Sequence, residues 1–254
     1  PNYPEGVIYE DFLKNKNKYS TYDGIKIIRV PIIQRGKNNI QLILNYLSFV
    51  LSACSVGIFK LRKNKFDVVF VFQLSPVFVG IPSSIISFLK GCPQIFWVLD
   101  LWPEMLTLSS IEIFKNKWLQ SFIRKIVQLI YSRCDVILAQ SKSYQKEIKK
   151  YTNNKVLYFP AWVESEFKVA PKNLAKEITH KKDVFTIMFA GNIGKAQDFP
   201  SILKTVEYLL KENFNKFRII TIGEGSDKKW LINQIKENDL KNYFEILDKF
   251  PLER

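Results

Sequence analysis

The sequence has a single histidine, His180, which argues against a histidine-based nucleophile triad or a multi-histidine metal site. Its three cysteines, Cys54, Cys92 and Cys134, are far apart and lack metal-ligand spacing. Such an odd, scattered set suits core packing in a reducing cytosol, not a disulfide framework. Glycine is scarce, at ten in 254 residues, so a glycine closing an apolar run is informative. Acid is the other deficit. Residues 1–160 hold 22 Lys/Arg against 10 Asp/Glu, whereas residues 161–254 hold 16 against 14. The net charge of +14 thus lies almost wholly in the first part. Such a field draws in nucleic acid, a phospholipid surface or a phosphorylated substrate; the alternative is a lysine-rich surface without a partner.

What is present reads as a globular chain, with 47% hydrophobic and 24% charged residues. Apolar runs of strand length recur: IKIIRV (25–30), DVVFVF (67–72), PQIFWVLD (93–100), DVILAQ (135–140) and KVLYF (155–159). The pattern restarts with VFTIMFA (184–190), FRIITIG (217–223) and YFEIL (243–247). Helical patterns over 77–90, 113–133, 141–151, 198–213 and 226–238 alternate with them. Continuous apolar runs predict strands buried on both faces, and the alternation predicts parallel βαβ units. The polar stretch 164–183 separates two series. The prediction is therefore two α/β domains, 1–160 and 184–254, joined by a linker over 161–183.

Two apolar segments need a decision. Residues 40–61 approach the length of a bilayer span, but Gln41, Asn45, Ser48, Ser52 and Ser55 interrupt them. A buried or lipid-facing helix of an α/β domain fits better. Along residues 115–133, Trp118, Phe122, Ile126 and Leu129 share one helical face. The charged residues there are Lys115, Lys117, Arg124, Lys125 and Arg133, with no acid. This is either a basic interfacial helix, with Lys117, Trp118, Arg124 and Lys125 touching lipid, or a core helix with a solvated basic face.

Two strand ends suggest chemistry. The run 184–190 ends in GNIGK, and the run 217–222 ends in GEG. Neither matches a P-loop or a three-glycine dinucleotide fingerprint. Glycine turns at the carboxyl ends of strands before helices nonetheless lie where α/β sheets bind ligands and where anions are attracted. They are also ordinary in tight strand–helix connections. In FWVLDLWPEML (96–106) a strand runs into Asp100, with Trp102 and Glu104 just beyond. Asp100 is either a catalytic carboxylate or a capping and hydrogen-bonding group. Trp102 either stacks on a sugar or packs beneath the loop, and Glu104 is either catalytic or a first-turn acid at a helix dipole.

Together these stretches resemble a known family. PNYPEG (1–6), NYLSF (45–49), VLDLWPEM (98–105), RCDVILAQS (133–141), YFPAWVESEF (158–167), FAGNIGKAQDF (189–199) and IITIGEGSDKKWL (219–231) occur in order along nearly the whole chain. They resemble the family-4 retaining glycosyltransferases. The narrower likeness is to bacterial surface-polysaccharide enzymes of the colanic-acid and O-antigen type, including N-acetyl-L-fucosamine transferases.

The resemblance implies a GT-B fold, with two Rossmann-like domains facing a cleft, both incomplete here. The first would bind the acceptor and the second a nucleotide-sugar donor. The family's first strand with its glycine-rich loop, and its late acidic motif, are expected to lie outside these 254 residues. Many members place Arg and Lys where this chain has Asn192 and Gln197, although the narrower group shares GNIGxAQ. Donor contacts are therefore expected from Gly191, Asn192, Gly194, Lys195, Gln197, Gly223, Glu224 and Gly225. Asp100 and Glu104 are the expected catalytic residues and Trp102 the acceptor contact. Metal-independent transfer with retention follows, by front-face attack and without a protein nucleophile. So does a polyprenyl-diphosphate-linked acceptor at the anionic inner face of the plasma membrane, with the protein cytoplasmic and peripheral. Nucleic acid is not an expected partner, because no recognition motif accompanies the charge. A sugar-nucleotide-binding module without turnover is the alternative.

Overall fold

The computed structural model describes residues 6–36, 38–108, 116–163, 177–179 and 181–250. Residues 1–5, with the PNYP stretch, Lys115, His180 and the 164–176 part of the expected linker lie outside the described residues. The chain divides into two compact units, Pro1–Ala161 and Trp162–Arg254.

In the first unit, α1 (Glu10–Lys14) leads to a hairpin of β1 (Thr21–Tyr22) and β2 (Ile25–Lys26). The expected strand 25–30 is thus corrected to a two-residue hairpin arm. Both Tyr22 and Ile25 are exposed, and Ile27, Ile28 and Val30 are only half-buried. Next, α2 (Asn39–Ser52) begins at Asn38, whose side chain accepts from the Gln41 amide at 2.8 Å. One π-helical turn, Ala53–Gly57, joins it to α3 (Ile58–Leu61). The polar interruptions noted in this segment have work to do. Asn45 donates to the Ile33 carbonyl and Ser48 accepts from the Ile33 amide, tying the helix to the extended chain before it. The outer stripe Ile40, Leu44, Leu47 and Leu51 is exposed, so this helix is not a buried one.

The main sheet is parallel, ordered β3 (Val69–Gln73), β4 (Gln94–Val98), β5 (Val136–Ala139), β6 (Lys155–Tyr158). Between its strands run α4 (Gly80–Lys90), α5 (Lys117–Ser132) and α6 (Lys142–Ile148). Each helix has a sequence reason to start or stop. Gly91 closes α4 in the left-handed region, and the Asn116 and Ser141 side chains cap α5 and α6. The α5 residues Ile123, Val127, Ile130 and Tyr131 pack on Phe96, Val98 and Ile137 of the sheet. Each fully buried aliphatic side chain there contributes about 1.5–3 kcal/mol. All three cysteines are free; Cys92 and Cys134 are buried and Cys54 is half-buried.

The second unit repeats the scheme on a smaller scale. β7 (Phe185–Ala190), β8 (Phe217–Ile222) and β9 (Phe244–Leu247) form a parallel sheet in that order, with α7 (Phe199–Lys211) and α8 (Lys228–Glu237) between them. The core gathers Ile193, Phe199, Leu203, Val206, Ile219 and Leu231. Buried Arg218 on β8 bonds Thr186, Glu245 and the Thr179 carbonyl, locking the start of the sheet. The expectation that every run is buried on both faces holds for β4, β5 and β8, which sit inside their sheets. It fails for β3, β6 and β7. Among the described residues these are edges, and Phe70, Phe72, Leu157, Tyr158, Phe185, Ile187 and Met188 are exposed.

Candidate functional site

Register brings the strand ends into line. Gln73, Val98, Ala139 and Tyr158 are paired across the first sheet, so the residues after them emerge along one edge. The ladder runs one step further, where the Leu99 amide donates to the Gln73 carbonyl at 3.1 Å. From the next strand end, Gln140 donates to the Leu99 carbonyl at 2.8 Å. Asp100 follows immediately. Its Oδ2 accepts two hydrogen bonds from Ser75, one from the amide at 2.9 Å and one from the hydroxyl at 2.6 Å. The Trp102 indole N–H in turn donates to the Ser75 hydroxyl oxygen at 3.2 Å. Both prolines of this corner, Pro76 and Pro103, follow cis peptide bonds.

Of the two roles open to Trp102, the geometry gives packing. The residue is 7% exposed, its ring centre lies 5.6 Å from that of Phe78, and its N–H is taken by Ser75. A buried ring has no open face for a sugar, which corrects the expected stacking contact. Glu104 opens a 3₁₀ turn, Glu104–Leu108, and its carboxylate accepts the Tyr151 hydroxyl from beyond α6. Burial, then the bond to Glu104, pushes the Tyr151 phenol up to about 12. Glu104 is thereby tied to the segment after α6 as a brace for the DLWPE corner.

In the second unit Ala190, Ile222 and Leu247 are paired, and the chain leaves them as Gly191, Gly223 and Asp248. The two glycine turns lie backbone to backbone. Gly191 N donates to Ile222 O at 2.9 Å, Ile193 N to Glu224 O at 2.8 Å and Asp227 N to Ile193 O at 3.0 Å. A Cβ on Gly223 would stand 1.9 Å from the Gly191 carbonyl oxygen, and one on Gly225 would stand 2.1 Å from that of Ile193. These glycines are first of all what lets the loops interlock.

Gly194 is different, because side chains converge on it. A Cβ there would meet Asn192 Nδ2 at 2.8 Å, Gln197 Oε1 at 3.5 Å and Ser226 Oγ at 3.6 Å. The Gln197 oxygen is buried and unpaired. Neither the Asn192 amide nor the exposed Lys195 ammonium bonds a protein side chain among the described residues. The loop thus offers a neutral donor, a neutral acceptor and one cation at the carboxyl end of β7. Glu224 is otherwise engaged. Lys228 bridges it and Asp248 at 2.6 Å each. Those two bonds, the Asp248 one larger, raise the Lys228 ammonium and hold the Asp248 carboxyl low.

Ser75, Ser226, Lys228 and Asp248 were not singled out from sequence. One signal was available for Ser75: it follows DVVFVF as Asp100 follows the next strand, and side-by-side parallel strands place such residues together.

A third surface lies on the first unit's helices. On α5, Trp118, Phe122 and Leu129 are exposed, 87% in the case of Trp118, and Lys125 shares their stripe by spacing. Ile126, expected on that stripe, instead packs against the core. Leu129 and Arg133 also line an apolar groove with Ile85 and Phe88 of α4. Lys117 and Arg124 flank the stripe, and the Arg124 guanidinium lies 6.0 Å from the Tyr151 ring centre.

No protein-family model and no curated protein sequence matches the chain. Solved structures do. HepE of Anabaena in complex with UDP and glucose aligns with a TM-score of 0.56 at 12% identity, covering 96% of this chain and 60% of that one. HepE in complex with UDP-glucose gives 0.57 at 11% identity with the same coverage. A TarM variant from S. aureus, in complex with fondaparinux, alpha-GlcNAc-glycerol and UDP, gives 0.50 at 11% identity, covering 82% of this chain and 37% of that one. The chain therefore spans about three-fifths or less of the length of these neighbours. Its fold, with parallel sheets in two Rossmann-like units, is the GT-B fold.

Proposed function

We propose that the chain is part of a glycosyltransferase that moves a sugar from a nucleotide-sugar donor to a lipid-linked saccharide in bacterial surface-polysaccharide synthesis. The observation that carries this reading is the open polar set around Gly194, in a fold whose solved neighbours include complexes with UDP and UDP-glucose. Asn192, Lys195 and the loop amides meet the donor's phosphates, and the buried Gln197 oxygen takes a hydroxyl of the donor. Asp100 accepts a hydrogen bond from the acceptor hydroxyl or offsets positive charge on the sugar in the transition state. Transfer proceeds with retention by front-face attack, the leaving phosphate receiving the acceptor proton. No metal is assigned a part. The resemblance read from the sequence, to family-4 enzymes and N-acetyl-L-fucosamine transferases, supports the polysaccharide setting.

The acceptor's lipid places the protein at the anionic inner leaflet, as a cytoplasmic, peripheral protein. The α5 stripe with Lys125, and the groove shared with α4 and Arg133, supply the apolar and basic contacts that such a surface needs.

Calorimetry with UDP, followed by transfer assays with a panel of nucleotide sugars and a polyprenyl-diphosphate-linked acceptor, tests the reading. Binding with turnover is expected, and Asp100→Asn keeps binding while losing most turnover. Near-normal turnover by Asp100→Asn removes Asp100 from the mechanism. Binding without any turnover favours a sugar-nucleotide-binding module. Absence of UDP binding by the folded protein overturns both.

A further inference from the structure

Asp100 is held from one side. Both bonds from Ser75 fall on Oδ2, and among the described residues Oδ1 accepts none. The Ser75 hydroxyl has one proton, and it goes to Asp100. Its oxygen receives the Trp102 indole N–H, a group that only donates. The direction of the chain is therefore fixed, from Trp102 through Ser75 to Asp100. Trp102 cannot swing away, being buried against Phe78. Two donors on one carboxylate oxygen, one of them backbone, leave the carboxylate little rotation.

We infer that Ser75 is the positioning residue for Asp100, turning its Oδ1 toward the acceptor hydroxyl. This rests on the transferase reading above. The acceptor's reacting oxygen must be oriented by a group that stays put, and a displacement of about 1 Å at such a group can cost roughly a hundredfold in rate. Ser75 touches no reacting atom. It acts through Asp100, and loss of its hydroxyl leaves the carboxylate held by the Ser75 amide alone, with more rotation open to it.

Two measurements test this, one of them independent of turnover. In ¹⁵N-labelled protein the Trp102 indole resonance, assigned with Trp102→Phe, should shift on Asp100→Asn. In a Ser75→Ala background the same substitution should leave it in place. A shift of equal size in both backgrounds overturns the relay whatever the enzyme does. In transfer assays, Ser75→Ala should lower kcat roughly tenfold to a hundredfold with the donor KM unchanged, and Ser75→Thr should restore most of it. Adding Ser75→Ala to Asp100→Asn should cost nothing further. Additive losses, or a fall in thermal stability without a fall in kcat, show a merely structural serine and overturn the inference. If no nucleotide sugar is transferred although the indole coupling is present, the function fails and the role of Ser75 with it, while the network itself stands.

Discussion

Gly223 stands against the Gly191 carbonyl so closely that a methyl group at 223 would lie 1.9 Å from that oxygen, and its φ is +145°. Overlap and backbone strain coincide there, at the joint between the two glycine turns. Gly223→Ala should therefore lose about 1–3 kcal/mol from strain alone, with the overlap adding to it. Gly24→Ala is the matched control, since Gly24 also has positive φ but nothing within 4 Å of its would-be Cβ. Denaturant unfolding should rank Gly223→Ala well below Gly24→Ala; equal losses would mean that the loops are not interlocked as described.

The outer stripe of α5 makes a prediction about lipid. Binding to vesicles containing anionic lipid should fall as salt rises, and Trp118→Ala should weaken it. Lys125→Glu should weaken it by roughly tenfold or more, given about 1 kcal/mol per basic side chain at such a surface. Charge reversal at Arg124, off the stripe and beside Tyr151, should do less. Sedimentation with vesicles of graded charge reads this directly. Equal binding to neutral and anionic vesicles would refute the role of Lys125.

Tyr151 gives a pH dependence. Its phenol is raised from 10.0 to about 12 by burial and by Glu104, so the folded state keeps a proton that the unfolded state loses first. The associated stability is whole below pH about 10 and is lost as pH rises through about 12. An ultraviolet tyrosinate titration should show a late step that Tyr151→Phe lacks. The same substitution should flatten the decline of stability across that window.

Thiol chemistry should separate the cysteines. Burial pushes Cys134 up to about 12, and its sulfur lies within 3.2 Å of both the Gln94 amide and the Ile130 carbonyl. Cys92 is buried as well, and Cys54 is half-buried with its thiol raised by burial. Alkylation of native protein at neutral pH should proceed slowly at Cys54 and leave the other two unmodified, with all three reacting in denaturant. Rapid labelling of Cys134 in native protein would contradict the packing under α5.

The strands, the helices between them and the parallel pairing could be read from the sequence, because apolar runs bounded by helical patterns leave few other arrangements. The exception was IKIIRV, where composition alone suggested a strand and long-range packing decided otherwise. Edge position was equally hidden: VFTIMFA and FRIITIG look alike, yet one is exposed and the other buried, a difference set by neighbours. At the candidate sites the sequence pointed to Asp100 and to both glycine turns. It did not reveal that Ser75 holds Asp100, that Glu104 serves Tyr151, or that Lys228 claims Glu224. The Ser75–Asp100 and Glu104–Tyr151 pairs join positions 25 and 47 residues apart that only the tertiary fold brings together, and Lys228, four residues from Glu224, also reaches Asp248, 20 residues on.

The exposed edges have a practical consequence for handling the chain. On β3 and on β7, N–H and C=O groups with no strand on their outer side among the described residues run beside phenylalanine and aliphatic side chains, with no charged side chain among Val69–Gln73 or Phe185–Ala190. Such edges invite another strand to add on, and neither bulge, proline nor lysine guards them. These two short stretches should thus favour self-association: repulsion from the basic first unit delays contact at low salt, and added salt, by screening it, promotes clustering.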